Sequence, residues 1–195
     1  MKNRNKHIIL TGFSNSGKNF VGELILQQQP NIVRCITAAT RAPRPNERNG
    51  VDYFFFDKPE FIKKEQSGWF IETNSYLKEL GLPDFLYGTP KDFVEQCRYE
   101  YQMLFNVDPN GAEKLEEYFK GEAISVFLDV EDIAVLIERA KERRSNESDE
   151  EVKARQDLVA IQAKKKNTFD YCLVNKNGED NAKKLAETIL TLSSI

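Results

Sequence analysis

The sequence predicts an α/β fold in which a parallel core sheet is flanked by helices. Short apolar runs alternate with longer segments of helical periodicity along most of the 195 residues, an order typical of parallel sheets. A glycine-rich loop between the first apolar run and the first helical segment indicates the same class. The length fits one domain with mobile lobes.

The apolar runs predict core strands, and the longer amphipathic segments predict helices. The candidate strands are His7 to Thr11, Ile32 to Ile36, Gln102 to Val107, Ile124 to Leu128 and Tyr171 to Val174. The candidate helices are Lys18 to Gln29, Pro90 to Tyr99, Gly111 to Phe119, Asp132 to Arg144, Asp149 to Lys166 and Asn181 to Leu190. The last helix has apolar residues on one face, so we expect it to close over the sheet.

Residues 41 to 89 interrupt this alternation. Prolines and glycines mark an irregular loop, and the aromatic run Tyr53 to Phe56 follows it. Asp57 and Pro59 are typical of a helix start, and Trp69 to Glu72 is a second candidate strand. We therefore predict a small inserted subdomain built on a short mixed or antiparallel sheet.

The first loop carries the most informative motif. Residues 12 to 18 read G-F-S-N-S-G-K, the pattern of a phosphate-binding loop in its required position between a strand and a helix. Glycines let successive N–H groups point at phosphate oxygens, and the following helix start and lysine add positive charge. The predicted nucleotide-binding residues are Gly12, Phe13, Ser14, Asn15, Ser16, Gly17, Lys18 and Asn19. A glycine-rich turn that only packs a helix on a strand is the alternative.

Charge and cysteine content restrict the partners. The formal net charge of −3 offers no global basic field for nucleic acid, so an anionic substrate needs locally placed cations. The three cysteines are scattered, which favours free thiols in a reducing compartment over a zinc site. No stretch has the length of a membrane span or a signal peptide. We expect a cytoplasmic protein without nucleic-acid or membrane partners.

Two groups of arginines are candidates for those cations. Arg41 and Arg44 lie in a proline-stiffened segment, and guanidinium groups suit phosphate because they donate paired hydrogen bonds. A second group follows on the charged helices, at Arg139, Arg143, Arg144 and Arg155. Taken alone, the first group is equally typical of an exposed basic loop, and the second is more typical of a solvated helical face.

The motifs together resemble the guanylate kinase family from Ile8 to Asn175. The most specific combination is Thr40-Arg41-Ala42-Pro43-Arg44 with Gly50-Val51-Asp52-Tyr53. In the same order follow Phe70-Ile71-Glu72, Tyr87-Gly88-Thr89-Pro90, Val107-Asp108 and Phe169-Asp170-Tyr171…Val174-Asn175.

The resemblance implies a P-loop nucleoside monophosphate kinase fold and an enzyme that transfers the terminal phosphoryl group of ATP, bound with Mg²⁺, to GMP. It divides the single domain (1–195) into a core (1–36, 97–130 and 160–195), a GMP-binding subdomain (37–96) and a helical lid (131–159). The resemblance does not decide between a monomer and a homodimer.

The resemblance also implies roles for individual residues. The GMP phosphate is held by Arg41, Arg44, Tyr53 and Tyr87. Glu72 accepts hydrogen bonds from the guanine ring N–H and exocyclic amine, Thr89 donates to the guanine carbonyl, and Asp108 lies at the same base edge. Lys18 acts on the transferring phosphates with the lid arginines Arg139, Arg143 and Arg155. Because the lid linker is slightly longer than usual, Arg144 is an alternative to Arg143.

Some positions depart from the family pattern. Asn19 replaces the hydroxyl residue that helps hold magnesium, and Asn106 replaces the usual acidic residue. An amide oxygen still suits Mg²⁺, so Asn19 is the candidate metal ligand, with a weaker dependence on magnesium expected. Extra residues between Glu72 and Tyr87 either cover the GMP pocket or contact a second subunit. A catalytically weak or inactive module that binds GMP or a protein is the functional alternative, and a kinase for another phosphorylated acceptor is a third.

Overall fold

The computed structural model describes residues 5–75, 85–143 and 149–195. The strands of this part of the chain are β1 (His7–Gly12), β2 (Ile32–Arg34), β3 (Ala38–Ala39), β4 (Phe54–Phe55), β5 (Phe70–Asn74), β6 (Tyr87–Pro90), β7 (Gln102–Asn106), β8 (Ala123–Asp129) and β9 (Tyr171–Val174). Its helices are α1 (Lys18–Gln28), α2 (Lys58–Gln66), α3 (Lys91–Cys97), α4 (Pro109–Phe119), α5 (Ala134–Arg143), α6 (Asp149–Ala163) and α7 (Glu179–Ser193).

The main sheet is parallel throughout, with the strand order β2-β7-β1-β8-β9. β1 lies at its centre, and all of its residues are buried, which explains its uninterrupted apolar run. In a parallel sheet all carboxyl ends lie at one edge. The loops that follow β1, β7, β8 and β9 therefore meet there.

Helices cover both faces of this sheet. Ile8 and Leu10 of β1 pack on one face with α1 and α7, whereas Ile9 faces Phe105 and Phe119 in the other core cluster. The buried residues of α7 include Ala182, Leu185, Ala186 and Ile189, so the expected closing helix is confirmed. No helix in the described residues combines the length and apolar character needed to cross a membrane.

A second sheet has the order β4-β3-β6-β5. The pair β3 and β4 is parallel and the other two pairs are antiparallel, so the sheet is mixed. Aromatic rings hold α2 on this sheet: Phe61 is fully buried and stacks on Phe70 at 4.5 Å between ring centroids. The predicted start of α2 is confirmed, because the Asp57 side chain accepts a hydrogen bond from the Glu60 N–H at 2.8 Å.

Several boundaries differ from the predicted ones. β3 and β6 were not predicted, because two alanines or a segment with Gly88 and Pro90 carry no strand periodicity. These strands exist through mutual pairing. α4 begins at Pro109 and not at Gly111, because Asp108 caps the helix by accepting hydrogen bonds from two main-chain N–H groups. Most of the extra segment between Glu72 and Tyr87, residues 76–84, lies outside the described residues.

Candidate active site

The glycine loop after β1 has the backbone geometry of a phosphate cradle. Gly12 has a φ of 137°, and a Cβ there would lie 2.4 Å from the Leu128 carbonyl oxygen of β8. Gly17 has a φ of 92° at the start of α1, where a Cβ would lie 2.4 Å from the Asn175 Nδ2 atom. Other side chains are strained at such φ values and would collide here. The fold itself therefore requires the two glycines of the motif.

Within the loop, Phe13 contributes differently from the polar residues. Its side chain is buried and packs edge-on against Phe127 of β8, with ring centroids 5.1 Å apart. The ring thus anchors the loop on the sheet. Nucleotide binding by Phe13 stays a prediction, and with its side chain buried it concerns the main chain.

Lys18 lies over the loop. Its Nζ atom donates hydrogen bonds to the carbonyl oxygens of Gly12, at 2.9 Å, and Phe13, at 2.7 Å. Burial lowers the pKa of Lys18 to about 8, while the negative charge of Asp108 opposes that change. The ammonium group is therefore held at the mouth of the loop, near the acidic residue that follows β7.

Asn175 also lies at this site, although no functional role was predicted for it from the sequence. It follows β9 and is buried, and its Nδ2 atom donates to the Ser16 carbonyl oxygen at 2.7 Å. Its own main-chain N–H donates to the Asp129 carbonyl oxygen at 2.9 Å. The side chain of Asn175 therefore fixes the glycine loop to the end of the sheet. Its place directly after the last core strand is the sequence feature that indicates such a role.

The two unusual asparagines contact each other. The Asn106 Nδ2 atom, at the end of β7, donates to the Asn19 Oδ1 atom of α1 at 2.6 Å. The amide oxygen of Asn19 is thereby oriented beside the phosphate loop. The sequence identified both substitutions, but only the parallel pairing of β7 with β1 places them in contact.

Arg139 connects the candidate lid with the glycine loop. Its Nη1 atom donates to the Asn15 carbonyl oxygen at 2.8 Å, and its Nη2 atom donates to the Asn177 side-chain oxygen at 2.5 Å. Arg143 ends α5, and Arg155 lies in α6. The predictions for the side chains of Arg143 and Arg155, and the alternative Arg144, fall outside what the structure describes.

A second candidate pocket surrounds Arg41, which is 8% exposed. Its guanidinium carbon lies 4.8 Å from the ring centroid of Tyr53, and the Tyr53 and Tyr87 rings are 6.5 Å apart. Burial raises the pKa of the Tyr87 phenol, and the Arg41 charge opposes this rise. Tyr87 therefore keeps its proton and can donate a hydrogen bond to an anion.

Arg44 belongs to the same loop but is more exposed. Glu47, which sequence reasoning missed, joins the two arginines: it accepts two hydrogen bonds from the Arg41 guanidinium and one from the Arg44 main-chain N–H. Of the predicted phosphate-binding set, Arg41, Tyr53 and Tyr87 thus lie together, and Arg44 is linked to them through Glu47.

Another candidate pocket, which is buried and polar, lies between β5, β6 and α4. Glu72 is 5% exposed, and its Oε1 atom accepts a hydrogen bond of 2.6 Å from the Thr89 hydroxyl, which is fully buried. Burial, with a smaller contribution from the charge of Asp108, raises the pKa of Glu72 to about 7. A Cβ on residue 111 would lie 2.9 Å from the Glu72 Oε2 atom, so Gly111 leaves room for this carboxylate.

Asp108, which caps α4, lies close to both this pocket and Lys18. Its charge acts on both Lys18 and Glu72. The structure thus combines a glycine loop at the edge of the parallel sheet with an acidic pocket and an arginine–tyrosine cluster at the second, mixed sheet. Such an arrangement defines a P-loop kinase, the class of enzyme that binds a nucleotide donor at the loop and an acceptor beside it.

Comparisons with known proteins specify the class. The family model described as guanylate kinase matches residues 4–192. The guanylate kinase of Prochlorococcus marinus is 35% identical over 192 residues, covering 98% of this chain and 100% of that protein. The guanylate kinase of Rickettsia bellii is 30% identical over 190 residues, covering 97% and 95%. This chain belongs to the guanylate kinase family.

Solved structures agree with this assignment. The crystal structure of guanylate kinase from Anaplasma phagocytophilum matches with a TM-score of 0.72 at 25% identity, covering 97% of this chain and 88% of that one. Shikimate kinase from Acinetobacter baumannii, at 14% identity and a TM-score of 0.51, shares the fold alone. The predicted family and fold class are confirmed, and these relatives give no support to a non-catalytic interaction module.

Proposed function

We propose that this protein transfers the terminal phosphoryl group of ATP to GMP, giving ADP and GDP. The observation that carries the proposal is the buried Glu72 carboxylate, which accepts a hydrogen bond from Thr89 and, like Lys18 of the glycine loop, lies within reach of the Asp108 charge. Guanine offers a ring N–H and an exocyclic amine side by side, the donor pair that a carboxylate accepts. Adenine presents an acceptor at the ring position, which would leave a buried carboxylate partly unpaired.

ATP binds at the glycine loop in this mechanism. The main-chain N–H groups of residues 12–19 and the ammonium group of Lys18 hold its phosphates, while Asn175 maintains the shape of the loop. Arg139 lies against the loop and is the described lid arginine that reaches this region. Arg143 and Arg155 are proposed to join it on the transferring phosphoryl group.

GMP binds in the two pockets of the inserted sheet. Glu72, Thr89 and Asp108 bind the base, and Arg41, Arg44, Tyr53 and Tyr87 bind the phosphate. An oxygen of that phosphate attacks the γ-phosphorus of ATP, and the bond from this phosphorus to the bridging oxygen of ADP breaks. Protein residues align the two nucleotides and neutralise the oxygens of the moving group, so no nucleophilic side chain is required.

Magnesium fits this site through one protein oxygen. Asn19 Oδ1 is a hard donor fixed by Asn106, and the described residues contain no group of three or more acidic, histidine or cysteine side chains placed to bind a metal. Mg²⁺ bound with ATP would neutralise charge on the phosphates during transfer. We propose that Asn19 orients this ion and that Asn106 orients Asn19.

The remaining proposals concern organisation and context. The inserted subdomain (37–96) and the lid (131–159) are proposed to close on the core when both nucleotides bind. We propose a reducing, cytoplasmic location, as expected from the scattered positions of the three cysteines in the sequence. We propose a monomer or homodimer that acts on small molecules without nucleic acid.

The test is ADP formation from ATP with GMP, dGMP, AMP, UMP and CMP supplied separately. We expect turnover with guanine nucleotides alone. Preference for AMP would contradict the assignment of Glu72 and Thr89. Tight GMP binding without any ADP formation would instead show a non-catalytic protein.

A further inference from the structure

Glu47 occupies the centre of the loop that carries both arginines of the acceptor pocket. Its Oε2 and Oε1 atoms accept hydrogen bonds from the Arg41 Nη1 and Nη2 atoms at 2.5 and 2.8 Å. The same carboxylate accepts a hydrogen bond from the Arg44 main-chain N–H at 2.8 Å. One side chain therefore holds the guanidinium of one arginine and the backbone of the other.

The loop is folded so that this contact forms. The Glu47 N–H donates to the Arg44 carbonyl oxygen at 3.0 Å, and Asn46 between them has a φ of 74°. Asparagine tolerates this left-handed conformation better than most residues. Glu47 and Arg44 thus bind each other's main chain, and the tight turn directs the Glu47 carboxylate back to Arg41.

The pair is also shielded from water. The side chains of Arg41 and Glu47 are 8% and 17% exposed, and the Arg41 guanidinium packs against the rings of Tyr53 and Phe55. A guanidinium has two edges that donate paired hydrogen bonds. Glu47 takes the edge formed by Nη1 and Nη2, so a second anion would bind through the edge formed by Nε and Nη2. Tyr87 also forms a hydrogen bond with this guanidinium.

We propose that Glu47 is a positioning residue for the acceptor phosphate: it fixes Arg41 in one orientation, holds Arg44 beside it and reduces the positive charge of their pocket. This inference rests on the proposed role of Arg41 and Arg44 in binding GMP. Because Arg41 is already ordered before the substrate arrives, the phosphate binds without the entropic cost of ordering that side chain. The carboxylate remains ionised throughout the working pH range, since the Arg41 hydrogen bonds hold the pKa of Glu47 at about 2.

The test compares Glu47→Gln with wild type in two ligands. A glutamine amide keeps one acceptor oxygen and places an NH2 donor where the second oxygen accepted from Arg41, so Arg41 loses its paired hydrogen bonds and its fixed orientation. We expect the dissociation constant of GMP to rise about tenfold or more, whereas the inhibition constant of guanosine, which lacks the phosphate, stays within about twofold. The KM for GMP should rise more than kcat falls, and Glu47→Asp should restore part of the GMP affinity.

Two controls make the result specific. Glu23 lies outside the proposed site, and its carboxylate forms an ion pair with Arg34 at an N–O distance of 2.5 Å. Glu23→Gln removes that ion pair and should leave GMP binding unchanged. In an Arg41→Ala background, Glu47→Gln should cause little further loss of GMP affinity, because Glu47 acts through Arg41. This double-mutant comparison remains decisive if Glu47→Gln alone lowers stability.

Three outcomes would overturn the inference: unchanged GMP affinity in Glu47→Gln, tighter GMP binding, or equal losses for GMP and guanosine. The last outcome would mean that Glu47 only maintains the subdomain. Failure of the proposed function is distinguishable, because wild type itself would then bind GMP no better than guanosine or fail to phosphorylate it.

Discussion

Replacing Glu72 with glutamine should remove the charge of the proposed base pocket while keeping its shape, so the effect of the charge on stability and on binding can be measured. The carboxylate is 5% exposed and accepts a hydrogen bond from the Thr89 hydroxyl. Burial, and secondarily the charge of Asp108, raises its pKa to about 7. Glutamine has nearly the same shape, and its amide oxygen can keep the Thr89 bond. It carries no charge at any pH.

The effect on stability follows from the raised pKa of Glu72. Because the pKa in the folded protein exceeds the ordinary value of 4.5, ionisation opposes folding of the ligand-free protein. The contribution of Glu72 to the free energy of unfolding should fall as pH rises from about 4.5 to about 7 and then level off. That interval corresponds to about 3 kcal/mol, at about 1.4 kcal/mol per pH unit. Ligand-free Glu72→Gln should therefore exceed wild type in stability by up to about 3 kcal/mol at about pH 8, and by little at about pH 5.

Binding of the base should change in the opposite direction. Hydrogen bonds to a charged group contribute about 1.5–3 kcal/mol, so Glu72→Gln should bind guanosine roughly 10- to 100-fold more weakly at about pH 8. Wild-type affinity should fall about tenfold per pH unit below about pH 7, as Glu72 becomes protonated, and the variant should show no such slope. Guanosine is the ligand of choice because a phosphate monoester titrates near pH 6 itself.

The assay combines urea unfolding across this pH range with guanosine inhibition of GMP phosphorylation. Glu65→Gln is the matched control, because Glu65 also accepts a hydrogen bond from a threonine, Thr73, but lies exposed on α2. A Glu72→Gln protein that is less stable than wild type at every pH would refute the reasoning. So would a wild-type guanosine affinity that does not vary between about pH 5.5 and 8.

Three further predictions concern the donor side. Lys18→Ala should reduce phosphoryl transfer by about a thousandfold or more and leave the GMP dissociation constant unchanged, because we propose that the lysine binds ATP and not GMP. A parallel loss of GMP binding, measured by calorimetry, would contradict this. Asn106→Asp should strengthen the dependence of ATP binding on Mg²⁺, because a carboxylate replaces the amide that holds Asn19. If a magnesium titration shows the same ATP binding in the variant and in wild type, position 106 has no role in magnesium binding. Asn175→Ala should raise the dissociation constant of ATP about tenfold, because it removes the hydrogen bond to the Ser16 carbonyl oxygen. GMP binding is the internal control, and equal losses for both nucleotides would show a general loss of structure.

Much of the fold and the donor site was readable along the chain. The glycine loop is contiguous, and its residues need only the strand before it and the helix after it. Asp57 and Pro59 likewise marked α2 through local hydrogen bonding and a fixed backbone angle. Glu72 and Thr89 were expected to bind the base only because the sequence resembles a known family. A single acidic residue gives no local indication of the group that it will contact.

Contacts between distant segments decided the rest. The roles of Asn175 and Glu47 were not predicted. Asn175 contacts a loop that is distant in sequence, and Glu47 has the sequence context of any exposed acidic residue. β3 and β6 were missed for the same reason, since pairing across the sheet, and not their own composition, makes them strands.

The sequence by itself determined the chemistry at the phosphate loop, because local backbone freedom and one following lysine are properties of adjacent residues. Tertiary structure alone decided which side chains surround that loop. The carboxyl ends of β1, β7 and β9 meet at one edge of the sheet, and this brings Asn106 to Asn19 and Asn175 to Ser16. Burial of Glu72 between two sheet strands and a helix then sets its pKa, a quantity that depends on surrounding solvent and charge and not on the neighbours in the chain.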